Sequence, residues 1–409
     1  MLALDDVTVL DLSHALAGPF ASTLLGDYGA DIIKVEPIDG EIARAWGPPF
    51  YGDEAAYFVN LNRNKRSIAL DLKQPEGRAI FFRLLEQADV VLENLRVGTV
   101  ARLGIDYAHA SAHQPRIIYC SVSGFGQDGP YRDRAALDLV VQAESGMISV
   151  TGEVGGHGVR AGVSIADITA GLYATFGILT ALHARERTGR GQFIDVSMLE
   201  GQLGLLSGMI GAFVADGILP EPMGTAYAAL LPYQTFRTKT RDIAIGVGSS
   251  KLWRTFCPLL GLAALVDDPR FVNNAARNAN RPALIDALQA AFMTKSYEEW
   301  EQILMPAGIP MGAINTLDHV VAHPQVAARG AIVESEHPVA GVYRSVGPPV
   351  RLSETPGRIR RPAPLLGEHT DAILRERLGM SAADVERLAA NGVVRVRPLD
   401  ERTRAKEVL

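Results

Sequence analysis

The chain of 409 residues contains only two cysteines, Cys120 and Cys257. They lie far apart and outside any cluster with metal-ligand spacing, so the sequence predicts neither a metal site nor a disulfide framework. We expect both to be buried thiols in a reducing compartment. The N-terminal stretch MLALDDVTVL lacks the basic region of a secretory signal, and an acidic pair interrupts its apolar run. The expected location is therefore the cytoplasm.

Positive charge is also in short supply. The sequence has 40 Lys and Arg residues against 46 Asp and Glu residues, a formal charge of −6, and it contains no basic run. Nucleic acid is therefore not an expected partner. The longest apolar stretches carry Gly, Tyr, Thr or charged residues at intervals, so we interpret them as buried helices of a globular protein and expect no membrane partner.

Strand-like and helix-like segments alternate in the first third of the chain. Strands are predicted over 7–12, 31–35, 90–92 and 117–122, and helices over 18–25 and 78–85. This alternation predicts an α/β fold with a mostly parallel, doubly wound sheet. The loop after the first strand lacks the G-x-G-x-x-G fingerprint, and Pro19 removes an N–H that a phosphate cradle would use, so a nicotinamide or flavin oxidoreductase is disfavoured.

A composition change marks the middle of the chain. The passage 199–219 is apolar and rich in glycine, and a cluster of prolines with Gly224 follows it. We predict a helix and then a linker. From Thr225 onward the sequence predicts a strand pair, helices over 250–260 and around 284–292, and hairpin strands over 331–346.

One carboxylate, Asp167, stands at the start of a well-marked helix. Apolar residues follow it in helical register at Ile168, Leu172, Phe176, Leu179 and Leu182. Basic residues and then Gly189 mark the end of the helix. A helix N-terminus carries unpaired N–H groups and the positive end of the macrodipole, so we expect Asp167 to be ionised at neutral pH and able to act as a nucleophile. A plain helix cap is the alternative interpretation.

Six segments spread over most of the chain share one resemblance. They are SHALAGPFASTLLGDYGADIIKVEP from Ser13, LNRNKRSIALDLKQPEGR from Leu61, VLENLRVGTVARLG from Val91, SGFGQDGPYRDR from Ser123, the stretch from Arg160 to Met198, and APLLGEHT from Ala363. In this order they resemble the class III CoA-transferases, also called the CaiB/BaiF or formyl-CoA transferase family.

The resemblance implies an architecture. Residues 1–200 and 331–409 would form a large, Rossmann-like CoA-binding domain, 201–224 a linker, and 225–330 a smaller α/β domain. Two such open chains would interlock as a homodimer.

The resemblance also implies a reaction. Asp167 would attack an acyl-CoA to give a mixed anhydride and then an aspartyl-CoA thioester, from which CoA passes to a second acid. The partners would be an acyl-CoA and a small carboxylic acid, with CoA as a substrate and no tightly bound cofactor.

A set of further residues is assigned to the site through the same resemblance. CoA would be bound by His14, Ala17, Leu70, Lys73, Asn94, Leu95, Arg102 and Met198. Lys73 and Arg102 would hold the phosphates, and backbone groups at His14 and Ala17 would face the pantetheine arm. Asp138, Gly246 and Gly248 would help to position the reacting groups. From the residues alone, a packed structural role for His14, solvated positions for the two cations and a backbone hydrogen bond for Asp138 remain open.

Departures from the family pattern narrow the function. Leu16 replaces the Gln of members that act on formyl-CoA and oxalate, which disfavours oxalate as the acceptor. Leu137 replaces the His that racemases of this fold carry before the Asp, which removes one base of a two-base proton exchange. A CoA-transferase using a small acid such as succinate is the leading hypothesis. An acyl-CoA racemase or isomerase and a non-catalytic CoA-binding homologue are the alternatives.

Overall fold

Strands and helices alternate along the chain in the computed structural model, which describes residues 1–397. Residues 398–409, the end of the expected 331–409 segment, lie outside the described residues. The strands are β1 (Thr8–Asp11), β2 (Asp31–Glu36), β3 (Phe50–Tyr51), β4 (Glu54–Ala55), β5 (Lys65–Leu70), β6 (Val90–Glu93), β7 (Ile118–Ser123), β8 (Phe193–Ser197), β9 (Tyr233–Phe236), β10 (Ile243–Gly246), β11 (Met311–Ala313), β12 (Ile332–His337), β13 (Gly341–Val346) and β14 (Val394–Arg395). The α-helices are α1 (Ala17–Asp27), α2 (Ala56–Leu61), α3 (Pro75–Leu85), α4 (Thr99–Leu103), α5 (Tyr107–His113), α6 (Asp138–Glu144), α7 (Ile165–Thr188), α8 (Met198–Leu205), α9 (Ser207–Asp216), α10 (Ser250–Leu259), α11 (Asn274–Ala279), α12 (Arg281–Phe292), α13 (Tyr297–Leu304), α14 (Leu317–Val321), α15 (Pro324–Ala328), α16 (Thr370–Leu378) and α17 (Ala382–Ala390). Short 3-10 helices cover Ile42–Ala45, Ile148–Val150 and Ala263–Val266.

The chain forms two compact units. The first comprises Met1–Met147, Ala161–Gly217 and the chain from Ala327 onward, and the second comprises Ile148–Arg160 and Ile218–Val326. The segment 201–224, expected to be a linker, contains most of α8 and all of α9. The apolar run before the proline cluster continues as helix up to Asp216, so the irregular connection begins only at Gly217.

A seven-stranded sheet forms the centre of the first unit, with the order β14-β5-β2-β1-β6-β7-β8. Neighbouring strands are parallel except β14 and β5, which are antiparallel. The chain adds strands outward from β1 in one direction and then outward from β6 in the other, which is the doubly wound Rossmann order. The predicted α/β fold with a mostly parallel sheet is confirmed. Its topological switch point, where ligands bind in such sheets, lies between β1 and β6.

Both faces of this sheet are buried. Successive residues of a strand point to opposite faces, so Leu10 of β1 packs in a core with α3, α16 and α17, whereas Val9 packs in a second core with α1 and α7. All six residues of β7 are buried. Continuous burial of this kind is typical of parallel strands covered by helices on both sides.

Strand β5 lies between β14 and β2 and was not predicted as a strand. Its sequence, KRSIAL, begins with two basic residues that obscure the apolar pattern. Lys65 is nevertheless fully buried, because its ammonium group lies 3.2 Å from an Asp11 carboxylate oxygen and donates to the Asn62 side-chain oxygen at 2.8 Å. A buried charge requires such partners, and a strand pattern cannot reveal them.

Helix α7 buries small residues and exposes large ones. The buried positions are Ala166, Thr169, Ala170, Gly171, Ala174, Ile178, Ala181 and Arg185. A Cβ atom at Gly171 would lie 2.7 Å from the Ala17 carbonyl oxygen, so glycine permits the close approach of α7 to α1. By contrast, Leu172 is 51% exposed and Phe176 is 68% exposed. The expectation that the apolar register is buried is therefore wrong for Leu172, Phe176 and Leu179 within this chain.

Helix α7 is also long and apolar enough to cross a membrane by length and composition, with a mean hydropathy of 1.5 in a window that is 39% buried. The pair α8 and α9 passes the same test only when both helices are taken together, and the pair is bent by 67°. The small-residue face of α7 packs against α1 and the sheet. One face of α7 is thus packed within the first unit, while the opposite face exposes large apolar side chains.

The second unit has its own antiparallel sheet, with the order β11-β10-β9, and an aromatic core. The Phe292 ring lies 4.9 Å from the Phe236 ring and 5.4 Å from the Trp300 ring, centroid to centroid. The Trp300 indole N–H donates to the Phe292 carbonyl at 2.9 Å. The strand pair and the helices predicted from the sequence in this region, α10 and α12, are confirmed, as is the hairpin of β12 and β13 in the first unit.

Asn64 ties the C-terminal part of the first unit to the region around α1. It is buried and adopts the left-handed conformation, with φ of 61°. Its Nδ2 donates to Asp27 Oδ1 at 2.8 Å and to the Arg358 carbonyl, 294 positions away, at 2.9 Å. Its Oδ1 accepts the backbone N–H groups of Arg360 at 2.6 Å and Arg361 at 3.0 Å. One side chain thus holds segments that are distant in sequence.

We expect Asn64→Ala to destabilise the first unit by about 2 to 4 kcal/mol, because it leaves buried polar groups without partners and places alanine in a left-handed conformation. Urea denaturation followed by fluorescence measures the change. Asn60→Ala is the matched control, since the Asn60 amide donates to the Ala56 carbonyl one helical turn away; this variant should change stability by less than about 0.5 kcal/mol. Equal losses in the two variants would contradict the role of Asn64.

Candidate functional site

His14 and Asn94 meet across the switch point of the sheet. His14 lies in the loop between β1 and α1, residues 12–16, and Asn94 directly follows β6. Asn94 Oδ1 accepts the His14 N–H at 2.7 Å, and Asn94 Nδ2 donates to the His14 carbonyl at 2.9 Å. The structure thus brings two predicted CoA-binding residues together. The His14 N–H is not free for the pantetheine arm, contrary to expectation, because Asn94 already accepts it.

The His14 imidazole is half-buried at this position. Burial, assisted by the nearby Lys34 ammonium, lowers the pKa of His14. The imidazole is therefore neutral at physiological pH and offers one donor and one acceptor nitrogen.

Asp138 caps the helix that carries Asp167. Asp167 lies in the first turn of α7. Ser164, the residue directly before the helix, forms no side-chain hydrogen bond that would cap it. Instead, Asp138 Oδ1 accepts the backbone N–H groups of Ala166 at 2.8 Å and of Asp167 at 3.4 Å. Gln142 Nε2 donates to Asp138 Oδ2 at 2.6 Å. A carboxylate at this end of a helix satisfies unpaired N–H groups and is favoured by the macrodipole. The capping role thus belongs to Asp138, and the plain-cap interpretation of Asp167 loses its basis.

The Asp167 carboxyl group has an unusual acidity. Burial raises its pKa to about 7, and the Asp138 carboxylate contributes in the same direction. The expectation that Asp167 is fully ionised at neutral pH is therefore wrong, because desolvation and a like charge outweigh the effect of the helix end. A carboxyl group that titrates near neutrality is typical of functional sites.

Tyr57, on α2, completes this group. Burial raises the pKa of Tyr57, and the carboxylates of Asp167, Glu41 and Asp138 raise it further. The phenol therefore stays protonated and can donate a hydrogen bond. Its ring lies 5.3 Å from the Trp46 ring, centroid to centroid. Tyr57 is not apparent from the sequence, because a single tyrosine in the segment AYFVNL carries no motif of its own.

Two predicted phosphate-binding cations follow the carboxyl ends of two strands, β5 and β6, which are separated in the sheet by β2 and β1. Lys73 follows β5, and Arg102 lies on α4, the helix that follows β6; both are exposed. The Arg102 guanidinium donates to Thr99 Oγ1 at 2.9 Å. Leu95, also after β6, donates its N–H to Glu93 Oε2 at 2.8 Å. Exposed cations can meet a phosphate without first giving up a buried partner.

The other predicted CoA-binding residues of the first unit are buried. Ala17 and Leu70 are each 1% exposed and Met198 is 6% exposed. Leu70 packs in the core with α3, and Ala17 and Met198 pack in the core with α7. A contact between these residues and CoA would therefore use mainly their backbone atoms.

Gly246 and Gly248 belong to the second unit. Gly246 ends β10, and its N–H donates to the Pro310 carbonyl at 3.1 Å. Gly248 follows in an exposed loop. These two glycines are thus placed at the carboxyl end of one strand of the small sheet.

Metal ligands are not clustered in the part of the chain that the structure describes: within residues 1–397 no group of three or more His, Cys, Asp or Glu side chains is placed to hold a metal ion. Cys120 and Cys257 are free and buried, as predicted.

Comparison with known proteins identifies the family of this chain. A family profile described as "CoA-transferase family III" matches residues 4–370. Human succinyl-CoA:glutarate CoA-transferase is 40% identical over 392 residues, which cover 96% of this chain and 90% of that protein. Acetyl-CoA:oxalate CoA-transferase from Acetobacter aceti is 39% identical over 375 residues, covering 91% and 95% of the two chains.

The fold has a close counterpart among solved structures. A CaiB/BaiF family protein from Brucella suis has a crystal structure that matches with a TM-score of 0.82 at 38% identity, covering 92% of this chain and 99% of that one. Sequence and structure agree over nearly the whole length, so this chain belongs to CoA-transferase family III, the CaiB/BaiF family.

Proposed function

We propose that this protein transfers CoA from an acyl-CoA thioester to a free carboxylic acid, with Asp167 as the nucleophile. The observation that carries the proposal is the setting of Asp167. It is a half-buried carboxyl group in the first turn of α7, with a pKa near 7 and with Asp138 on the backbone N–H groups beside it. Family membership supports transferase chemistry at this position.

The reaction would keep the energy of the thioester in enzyme-bound acyl groups. The Asp167 carboxylate attacks the thioester carbonyl and the C–S bond breaks, which gives a mixed anhydride and CoA thiolate. The thiolate attacks the Asp167 carbonyl of the anhydride, releases the first acid as its carboxylate and leaves an aspartyl-CoA thioester. The acceptor carboxylate then attacks this thioester, and the thiolate released attacks the acceptor acyl group. New acyl-CoA leaves and the Asp167 carboxylate is restored, with no net proton transfer.

The surrounding residues suit this sequence of steps. Each addition places negative charge on a carbonyl oxygen, and the protonated Tyr57 phenol is a donor that can stabilise such charge. Asp138 keeps the first turn of α7 in place and makes Asp167 more basic, which strengthens the ionised carboxylate as a nucleophile. Lys73 and Arg102 would hold the phosphates of CoA, which enters and leaves as a substrate in each cycle.

A small dicarboxylate is the proposed acyl group, with succinyl-CoA as the donor. The human relative is named for succinyl-CoA and glutarate. Leu16, which replaces the Gln of oxalate-using members, is a buried apolar side chain, 7% exposed, and offers oxalate no hydrogen bond. Oxalate is the comparison acceptor in any screen, because the Acetobacter aceti relative is named for it.

The two alternatives have less support. Leu137, where a racemase would carry a base, is 72% exposed and cannot exchange a proton. A non-catalytic homologue would not need a carboxyl group with a pKa near 7 beside a second carboxylate. Deuterium incorporation at the acyl α-carbon without an acceptor acid would favour the racemase, and no exchange with any acid would favour the non-catalytic homologue.

Self-association is part of the proposal, in the form of the interlocked homodimer that the sequence resemblance implies. Its support is an apolar surface on α7 and α9, each member of which is at least 40% exposed in the single chain: Leu172, Tyr173, Phe176, Leu179, Met209, Ile210, Phe213 and Val214. Large exposed apolar patches mark interaction surfaces. We also propose a cytoplasmic location, with neither nucleic acid nor membrane as a partner.

Asp167→Asn should abolish transfer, because an amide of nearly the same shape is a poor nucleophile. In the wild type, succinyl-CoA followed by hydroxylamine should convert Asp167 to a hydroxamate, and borohydride should reduce it to an alcohol. Mass spectrometry should find both products on the tryptic peptide Ala161–Arg185. Glu186→Gln, an exposed carboxylate on the same helix, should retain both transfer and labelling. Rapid transfer with no label on this peptide would contradict an Asp167-bound intermediate.

The rate should fall at low pH. Only the ionised carboxylate attacks, and the pKa of Asp167 is raised to about 7, so the reactive form is present above that pH and is lost as pH falls through it. We expect kcat/KM for the acyl-CoA to fall about tenfold per pH unit below about pH 6. Asp138→Asn removes the neighbouring charge and should shift this decrease in kcat/KM to lower pH. Glu144→Gln, on the same helix α6, should leave the pH of the decrease unchanged. If kcat/KM of Asp138→Asn decreased at the same pH as that of the wild type, the coupling between the two carboxyl groups would be disproved.

Lys73→Ala and Arg102→Ala should each weaken CoA binding by about 1 to 3 kcal/mol through lost phosphate contacts. A pantetheine thioester, which lacks those phosphates, should show a much smaller change. Calorimetry with CoA and steady-state kinetics with both thioesters measure the effect, and Arg375→Ala, an exposed arginine of α16, is the control. Equal losses with both thioesters would assign the two cations to folding instead.

A further inference from the structure

Side chains hold both backbone polar groups of His14 and one group of each neighbouring residue. The Ser13 carbonyl accepts a hydrogen bond from Lys34 Nζ at 2.8 Å, and the Ala15 N–H donates to Glu41 Oε2 at 3.0 Å. Asn94 occupies the N–H and carbonyl between them, as described above. Three side chains that are distant in sequence therefore hold residues 13–15 of the β1–α1 loop, while backbone hydrogen bonds tie Leu12 to β6 and Leu16 to α1.

Two of these side chains form a buried ion pair. Lys34 Nζ lies 3.4 Å from Glu41 Oε1, and both side chains are completely buried. Burial works against the Lys34 charge, but the carboxylates of Glu41, Asp11 and Glu36 outweigh it and keep the pKa of Lys34 above its usual value. Glu41 Oε1 has no partner that meets hydrogen-bond geometry among the described residues. A pair of this kind is costly to bury and is weak support for stability by itself.

Ala15, whose N–H donates to Glu41, adopts a strained conformation. Ala15 has a φ of 65°, in the left-handed region that non-glycine residues rarely occupy. An alanine stays in this region only when its surroundings hold it there. The hydrogen bond from the Ala15 N–H to Glu41 is the contact that does so. Glu41 also accepts the Ala43 N–H at 3.2 Å, which fixes its own position at the start of the short helix Ile42–Ala45.

We propose that Glu41, supported by Lys34, is a positioning residue for the CoA site: it holds the β1–α1 loop in the strained conformation that presents the His14 imidazole at the switch point. Without this contact the loop relaxes, and the imidazole and the start of α1 leave the places where CoA binds. The inference rests on the proposed CoA-transferase function and adds to it a residue that does not touch the substrate.

The test separates the backbone contact from the charge. Glu41→Ala removes both, whereas Glu41→Gln keeps an oxygen that can accept the Ala15 N–H. Ala15→Val makes the left-handed conformation less accessible and leaves the ion pair intact, and Glu41→Ala/Ala15→Gly restores access to that conformation without the carboxylate. Ala15→Gly alone is the reference for the double variant. Glu54→Gln is the control, since Glu54 lies in the same charged region, 3.3 Å from Arg44, and forms no described contact with the loop.

The measurements are CoA affinity by calorimetry, KM and kcat for succinyl-CoA, and the thermal midpoint of each variant. We expect Glu41→Ala and Ala15→Val to weaken CoA affinity and to lower kcat/KM at least tenfold at a temperature where each remains folded. Glu41→Gln should lose less than Glu41→Ala, and the double variant should regain several-fold over Glu41→Ala. A double variant no better than Glu41→Ala, or variants that lower only the thermal midpoint, would overturn the positioning role.

The calorimetric arm keeps this inference separate from the proposed function. If the wild type binds CoA but transfers it to no acid, the transferase proposal fails, and the affinity series still tests the loop. If the wild type transfers CoA and all the variants bind CoA with the affinity of the wild type, the transferase proposal stands and the proposed role of Glu41 fails.

Discussion

The hydrogen bonds that Asp138 accepts from the first turn of α7 set the conditions for the rest of the site. A helix that begins without a local cap needs an acceptor from elsewhere, and here the acceptor is charged. The same carboxylate that fixes the start of α7 lies close enough to Asp167 to oppose its ionisation. Helix capping and nucleophile strength are thus linked through one side chain: a neutral cap would satisfy the same N–H groups but would not add to the rise in the pKa of Asp167 that burial causes.

Charged side chains also fix the local conformation at the edge of the seven-stranded sheet. Buried charges lie near the carboxyl ends of β1 and β2: Asp11, Lys34 and Glu36 are there, Glu41 lies beside them, and the Lys65 ammonium reaches Asp11 from the start of β5. These charges are held by one another and by backbone groups of the loop above the switch point. Burying these charges costs more free energy than burying apolar residues would. In exchange, the charges fix the conformation of the chain at the edge of the sheet where ligands bind. Stability at this edge is secondary to geometry.

The sequence predicted the sheet well, because buried parallel strands such as β1 and β7 are short apolar runs separated by helices with their own period. It missed β5, whose first residues are basic and are buried only through ion pairing. It located Asp167 but not its acidity, since a pKa depends on what lies nearby in space. Tyr57 and Glu41 could not be found for the same reason: the carboxylates that raise the pKa of Tyr57 and the Ala15 N–H that Glu41 accepts are distant from them in sequence. The burial of the large side chains of α7 was predicted wrongly. Periodicity shows which apolar residues share one face of a helix, but it does not show which face the rest of the chain covers.

The antiparallel pairing of β14 with β5 also bears on how the chain is made. Strand β5 is formed by residues 65–70, and the strand that covers its free side is formed by residues 394–395. A nascent chain leaves the ribosome from its N-terminus, so the first unit stays incomplete, with an unpaired strand edge, until almost the whole protein has been synthesised. The hydrogen bonds between Asn64 and residues 358–361 can form only when those residues have left the ribosome. Premature termination between the end of the second unit and β14 would therefore yield a product with a finished small unit and an open, association-prone large one.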